Sequence, residues 1–202
     1  MPDKSVFWLI RHAEPDTGPG GRVCLGQKLD VPLSPRGLVQ AEALAERLRD
    51  VPFDAIYVSP LLRARQTAGA LRQACPRVIV PELIEVSGGE WDGMPFSQIY
   101  ERYPAFFDGS RGGDRTPPGG ESDGEAFERV MGLMDRLSGG GGGTCALVTH
   151  SGLGRILLCR LMGLPPHRKR AIPMEYAGCS RIEHENGAWR VFLSGPLLDE
   201  HE

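Results

Sequence analysis

The chain has 202 residues, 41% of them hydrophobic and 24% charged, with a formal net charge of −3, which points to one sizeable core spanning 1–202 and excludes both whole-chain disorder and the strongly basic footprint of a nucleic-acid binder. No apolar run approaches the roughly 18 residues of a membrane span, and the Val6 to Ile10 run is too short for a signal-peptide core, so a cytoplasmic protein without membrane contact is expected. The five cysteines (Cys24, Cys75, Cys145, Cys159, Cys179) are dispersed, with no C-x-x-C pair and no histidine at metal spacing, so reduced thiols and no metal are expected, while 27 glycines ask for a local explanation.

Ser5 to Ile10 reads as a short apolar strand of the kind buried on both faces of a parallel sheet. It runs into Arg11 and His12, and glycine-rich residues follow from Asp16 to Lys28. Ser34 offers an N-cap and Pro35 suits the first helical position, with Leu38, Ala41, Leu44, Ala45 and Leu48 at helical spacing. Asp54 to Val58 is the next strand, and Ser59-Pro60 repeats the cap-and-proline signal for a helix to about Ala74. Arg77 to Pro81 and Leu83 to Val86 look strand-like, Ser87 to Gly93 is a turn, Pro95 to Arg102 a short helix, and Asp108 to Gly120 an irregular loop.

Ser122 to Leu137 is helical, with Phe127, Val130, Met131, Met134 and Leu137 on one face. Gly139 to Gly143 end it and read as a flexible connector with no chemical duty. Ala146 to Thr149 is a strand and Ser151 to Met162 a helix. Ser180 to Glu185 and Trp189 to Leu193 form a hairpin through Asn186-Gly187. The rhythm argues for an α/β domain with a mostly parallel central sheet covered by helices on both faces, a three-layer α/β/α sandwich.

Ligands of open α/β sheets gather at the carboxyl ends of the strands. Those positions hold Arg11, His12, Arg63, Glu85 and His150: two histidines of five in the chain, two arginines and a carboxylate. The set suits phosphoryl transfer through a histidine. A neutral imidazole is a nucleophile at phosphorus, arginine forks and helix N-termini hold the phosphoryl oxygens, and Glu85 could protonate the leaving alkoxide and then take a proton from water. Glu90 and Asp92 compete with Glu85 for the acid role, and Arg65 competes with Arg63, although residues two apart on a helix face opposite ways.

Arg11-His12-Ala13-Glu14 resembles the R-H-G-E signature of the histidine phosphatase superfamily, the phosphoglycerate-mutase-like or branch-1 enzymes. Pro32 to Gly37 with Gln40-Ala41, Ser59 to Ala68, Glu85 to Gly93 and Val148 to Gly152 follow in family order and at family spacing. The resemblance implies that His12 is phosphorylated, that Arg11, Arg63 and His150 hold the phosphate, and that Glu85 is the proton donor. It implies no cofactor, a phosphorylated small molecule as substrate, and a homodimer as an assembly open to the chain.

The sequence departs from the pattern at three places. Ala13 replaces the usual Gly, Ser151 stands where Gly is common, and Gly18 occupies the place of a phosphate-binding Asn. Gly26 and Gln27 are the substitute candidates for that contact, with Arg22 behind them, and Ser151 offers either a hydroxyl to the phosphate or a helix cap. Glu14 is read as ordering its loop. The aromatic stretch from Trp91 to Phe107 fits either core packing or a lid, and His167 to Arg170 fit a solvated face; His184 and His201 receive no role.

Cys24-Leu25-Gly26-Gln27, Asp30 to Ser34 and Pro117 to Ser122 are most similar to the α-ribazole phosphatase group within that superfamily. A phosphoglycerate mutase is the alternative enzyme, disfavoured by the modest chain length, and a catalytically quiet binder of phosphorylated metabolites or proteins is the alternative outside catalysis.

Overall fold

The computed structural model describes residues 4–20, 22–107 and 116–193. Six strands, β1 (Ser5–Arg11), β2 (Ala55–Val58), β3 (Arg77–Ile79), β4 (Gly143–Thr149), β5 (Cys179–Glu185) and β6 (Ala188–Leu193), form one sheet in the order β3-β2-β4-β1-β5-β6. The first four pair in parallel, and β5 and β6 join antiparallel at the β1 side.

The alternating pleat of β1 sends apolar side chains to both faces, so helices must cover both. Ile10, Ile56, Val58, Ala146 and Val148 share one core with Ala41, Leu44 and Ala45 of α1 (Pro35–Arg47) and Ala64 and Ala68 of α2 (Leu62–Ala70). Two short helices, α3 (Phe96–Arg102) and α4 (Pro104–Phe107), precede α5 (Asp123–Ser138) and α6 (Ser151–Leu161). Phe7, Leu9, Leu147 and Ile182 share the other core with Val130, Leu133 and Met134 of α5 and Leu153, Ile156 and Leu157 of α6. The three-layer α/β arrangement is the expected one. No helix among the described residues is long and apolar enough to cross a membrane.

Local caps set the helix starts. Ser34 accepts from the Gly37 N–H at 2.9 Å, and Ser122 and Glu125 form a reciprocal capping box at α5. Helix α2 departs from expectation at both ends. Ser59 remains extended, its N–H donating to the Val148 carbonyl at 3.0 Å, so the helix starts at Leu62. It stops at Ala70, where Leu71 swings to ψ 125°.

Leu83 to Val86 does not enter the sheet. Pro81–Leu83 forms a 3-10 turn instead, and the Leu83 carbonyl accepts from the Thr149 hydroxyl at 2.7 Å. The glycine run is not wholly a free connector either. Gly143 opens β4 with its N–H on the Lys4 carbonyl, and a side chain at Gly142, where φ is +82°, would collide with the Lys4 backbone.

The aromatic stretch belongs to neither core. Trp91 is its buried centre, with ring centroids 4.5 Å from Phe106, 5.3 Å from Tyr103 and 5.8 Å from Phe107. It forms a satellite cluster on the turn that follows Glu85. The basic segment beyond α6 is a 3-10 turn, Pro166–Ala171, and Lys169 there pairs with the buried Asp123 rather than facing only solvent. Residues 108–115 of the expected loop, and His201, lie outside the described residues.

Candidate active site

The sheet register assembles the site. Arg11 pairs with Thr149, and the ladder runs one step past the strand ends, with the His12 N–H donating to the Thr149 carbonyl at 2.9 Å. Ser59, His150 and His12 therefore stand side by side at the carboxyl ends of β2, β4 and β1. The two imidazole centroids are 5.0 Å apart, and all three residues are buried.

His12 Nδ1 lies 2.7 Å from the Ala13 carbonyl oxygen. A carbonyl only accepts, so Nδ1 carries the proton and Nε2 keeps its lone pair. Helix α2 holds this turn: the Ala13 N–H donates to Thr67 Oγ1 at 3.0 Å, and that hydroxyl donates to the Arg63 carbonyl. Burial, then the positive field of Arg63, pulls the His12 pKa down to about 3, only partly opposed by the Ala13 bond. Burial also pushes His150 well below the usual imidazole value, helped by His12 and Arg63. Both rings are neutral at neutral pH, and His150 Nε2 sits 2.7 Å from Ser59 Oγ.

Arg63 is 1% exposed, whereas Arg65 faces solvent, as the helical geometry requires. The Arg63 fork donates to the carbonyls of Leu29 (2.9 Å) and Gly26 (3.0 Å). Arg11 donates to the Met174 carbonyl and lies under the Tyr176 ring, 3.6 Å from its centroid. Burial lowers the pKa of both guanidinium groups. Arg11 Nε, Arg63 Nε and His150 Nδ1 are buried and have no hydrogen-bond partner among the described residues. Buried groups left unpaired by the protein are completed by ordered water, an ion or a ligand.

Glu85 is not at a strand end but against the start of α6. Its Oε2 accepts from the Gly152 N–H at 3.1 Å, and its Oε1 accepts from those of Leu153 (3.0 Å) and Val86 (2.8 Å). A Cβ at position 152 would stand 2.6 Å from Oε1, so this approach needs glycine. Glu90 is exposed, and its carboxylate meets the Tyr103 hydroxyl. Asp92 is spent on the N–H groups of Gln27 and Gly88. Both rivals of Glu85 thus serve the turn.

Gly26 and Gln27 act one layer back. Gly26 supports Arg63, and the Gln27 amide donates to the Glu85 carbonyl at 2.7 Å. Arg22 is exposed over the Phe96 ring, outside the inner ring of donors. Ser151 is half-buried; His150 occupies the cap position, so the hydroxyl is not the helix cap. Glu14 orders its loop as expected, accepting from the Ser34 hydroxyl at 2.8 Å.

Two neighbours of the site were not foreseen. Ser59 carries a helix-cap signature in the sequence, which masks its bond to His150. Tyr176, whose ring lies 5.8 Å from that of His12, sits on a turn held by Ala177 at φ +55°. Its distance along the chain from Arg11 leaves no local signal.

A mixed α/β sheet with two buried, neutral imidazoles and two arginines without carboxylate partners at the carboxyl ends of its strands defines an α/β protein of the phosphoglycerate-mutase-like fold. The chain belongs to the histidine phosphatase superfamily (branch 1), whose profile matches residues 7–195. Phosphoserine phosphatase 1 of Hydrogenobacter thermophilus is 34% identical over 77% of this chain and 75% of its own length. A probable phosphoglycerate mutase, GpmB, of Yersinia enterocolitica is 31% identical over 96% and 97%. A mycobacterial glucosyl-3-phosphoglycerate phosphatase superposes with a TM-score of 0.81 at 29% identity, covering 94% of this chain and 98% of its own. A candidate α-ribazole-5'-P phosphatase from Escherichia coli gives 0.78, also at 29%, covering 94% and 97%.

The depressed imidazole values set a pH dependence of stability. A histidine neutral in the fold and protonated when unfolded contributes stability above about pH 6.5 that is lost as pH falls toward 3. Unfolding titrations should show that wild type loses about 1 to 3 kcal/mol more than His12→Asn between pH 6.5 and 4.5. Parallel losses in the two proteins would contradict the neutral, buried assignment.

Proposed function

We propose that this protein is a metal-independent phosphomonoesterase for small phosphorylated molecules, working through a phosphohistidine on His12. The observation that carries this reading is a buried, neutral His12 with Nε2 unprotonated, beside three buried donors without partners. Phosphatase names among the relatives of similar fold and sequence support it.

In the first step the Nε2 lone pair forms the N–P bond while the P–O bond to the leaving group breaks. Arg11, Arg63 and His150 Nδ1 hold the phosphoryl oxygens, and the Nδ1–H bond to Ala13 keeps the ring aligned and accommodates its developing positive charge. Ser59 Oγ lies 2.7 Å from His150 Nε2 and accepts from the Leu61 N–H at 3.4 Å; in this reading the hydroxyl donates to Nε2, so that the His150 proton is on Nδ1, toward the phosphate. Protonated Glu85 gives its proton to the departing alkoxide. In the second step the Glu85 carboxylate takes a proton from water as the water oxygen bonds to phosphorus, and the N–P bond breaks to restore Nε2. Ser151, on the first turn of α6, offers a further donor, and Gly26 and Gln27 act by holding Arg63 and Glu85.

The mutase reading stays as the alternative. Its supposed obstacle, chain length, falls away, since the Yersinia relative named as a probable mutase aligns end to end with this chain. Glu85 at the rim argues against a binding-only protein, which has no use for a proton donor.

Hydrolysis of an aryl phosphate in the presence of a chelator tests the reading, and turnover is expected at full rate; no turnover of any phosphomonoester would sink it. His12→Ala should abolish an acid-labile, alkali-stable phosphoprotein, and persistence of the label would move the nucleophile elsewhere. Glu85→Gln should reduce turnover of alkyl phosphates about 10²- to 10⁴-fold but spare activated aryl phosphates. Equal losses on both would remove Glu85 from the acid role. Ser59→Ala should lower kcat at least fivefold with smaller change in KM, whereas an unchanged kcat would show that His150 needs no partner.

A further inference from the structure

The turn that follows Met174 offers Arg11 a carboxylate and an aromatic ring, and the fold uses the ring. Glu175 is exposed and forms no ion pair with a described residue. Its neighbour Tyr176 faces Arg11 instead, with the guanidinium carbon 3.6 Å from the ring centroid. Burial lowers the Arg11 pKa, and Tyr176 opposes that shift ahead of Glu85 and Glu175.

This turn is fastened to the very residues that the ring faces. The Gly178 carbonyl accepts from the Arg11 N–H at 3.0 Å, and the Ala177 N–H donates to the His12 carbonyl at 3.3 Å. Immediately beyond, Cys179 enters the ladder opposite Ile10. Within the turn the Gly178 N–H donates to the Glu175 carbonyl at 3.0 Å, and a Cβ at position 178 would stand 2.9 Å from that oxygen. Ala177 holds the left-handed conformation at φ +55°, which few residues other than glycine adopt. The backbone of Tyr176 is therefore registered to Arg11 and His12, not free to swing.

One short segment thus grips the guanidinium group on two sides. The Met174 carbonyl accepts from Nη1 at its edge, and the Tyr176 ring covers a face. Nε stays buried without a partner among the described residues. An aromatic face attracts a cation through its quadrupole and touches none of the in-plane N–H groups, whereas a carboxylate would occupy the same donors that a phosphoryl oxygen needs.

We infer, resting on the phosphate pocket of the phosphatase reading, that Tyr176 is the positioning residue of Arg11: its ring face holds the guanidinium charged and in place while leaving the Nε donor to the phosphoryl group. The ring also borders the nucleophile, its centroid 5.8 Å from that of His12 and tilted by 45°. The aromatic face, and not the hydroxyl, carries this role.

Calorimetry of inorganic phosphate on the intact chain reads the role without turnover. Tyr176→Leu keeps an apolar side chain on the turn but removes the aromatic face, and it should weaken phosphate binding about tenfold. Tyr176→Phe keeps the face and should recover most of that loss. In the Arg11→Met background, which has no charge to hold, Tyr176→Leu should cost less than about twofold, whereas a merely structural defect of the turn would carry the same penalty in both backgrounds. Wild-type affinity in Tyr176→Leu, a loss in Tyr176→Phe as large as in Tyr176→Leu, an equal loss in both backgrounds, or no phosphate binding by wild type overturns the inference.

Turnover of an aryl phosphate by the same proteins separates the two readings. The expected pattern of affinities without turnover upholds the role of Tyr176 while the phosphatase reading fails. Turnover together with a phosphate affinity that Tyr176→Leu leaves unchanged rejects the role while the phosphatase reading stands.

Discussion

Everything at the site depends on keeping two guanidinium groups out of water without giving either a carboxylate. Arg63 is almost fully enclosed, and a charge so placed is costly unless fixed dipoles surround it. Backbone carbonyls supply them. Gly26 and Leu29 serve Arg63, and Met174 serves Arg11, so loops far apart in the chain converge on the pocket. An ion pair would have been the simpler solution, but it would have cancelled the positive field of the site.

That field also governs the histidines. Arg63 stands close enough to oppose protonation of both His12 and His150, and burial acts in the same direction. The arginines thus make the site attractive to an anion while keeping the imidazoles neutral. The Ala13 carbonyl then chooses the His12 tautomer, and α2 holds that turn through Thr67. The same helix carries Arg63, so His12 and Arg63 are positioned by one rigid element.

The Glu85 side is built differently. Its carboxylate rests on the open end of α6, where the absence of a side chain at Gly152 lets it approach. Asp92 gathers the turns around residues 24–27 and 88, and Gln27 ties the first of these to Glu85. The aromatic cluster centred on Trp91 packs on the same turn, which makes it neither a third core nor a detached flap. Arg22 and Arg170 lie over its outer rings, those of Phe96 and Phe107.

The layered α/β class was legible in the chain because period-2 and helical patterns are local. So were His12, His150 and Arg63 as candidates, because the rule that ligands gather beyond strand ends needs only the order of elements, whereas Glu85 was reached through a strand at Leu83 to Val86 that does not form. Four expectations failed or fell short where long-range contacts overrode local signals. Ser59-Pro60 carries a helix start, yet the β4 ladder holds Ser59 extended and His150 takes its hydroxyl. Leu83 to Val86 has strand composition but no partner strand, Gly142 is fixed by its approach to Lys4, and Lys169 is drawn to Asp123. The order of elements and the residue types at their ends follow from local patterns in the chain. The neutrality of the imidazoles, the service of Glu90 and Asp92 to the turn, and the place of Tyr176 beside Arg11 follow from packing. Burial, tautomer and field depend on what is packed nearby in space, and those neighbours lie far away along the chain.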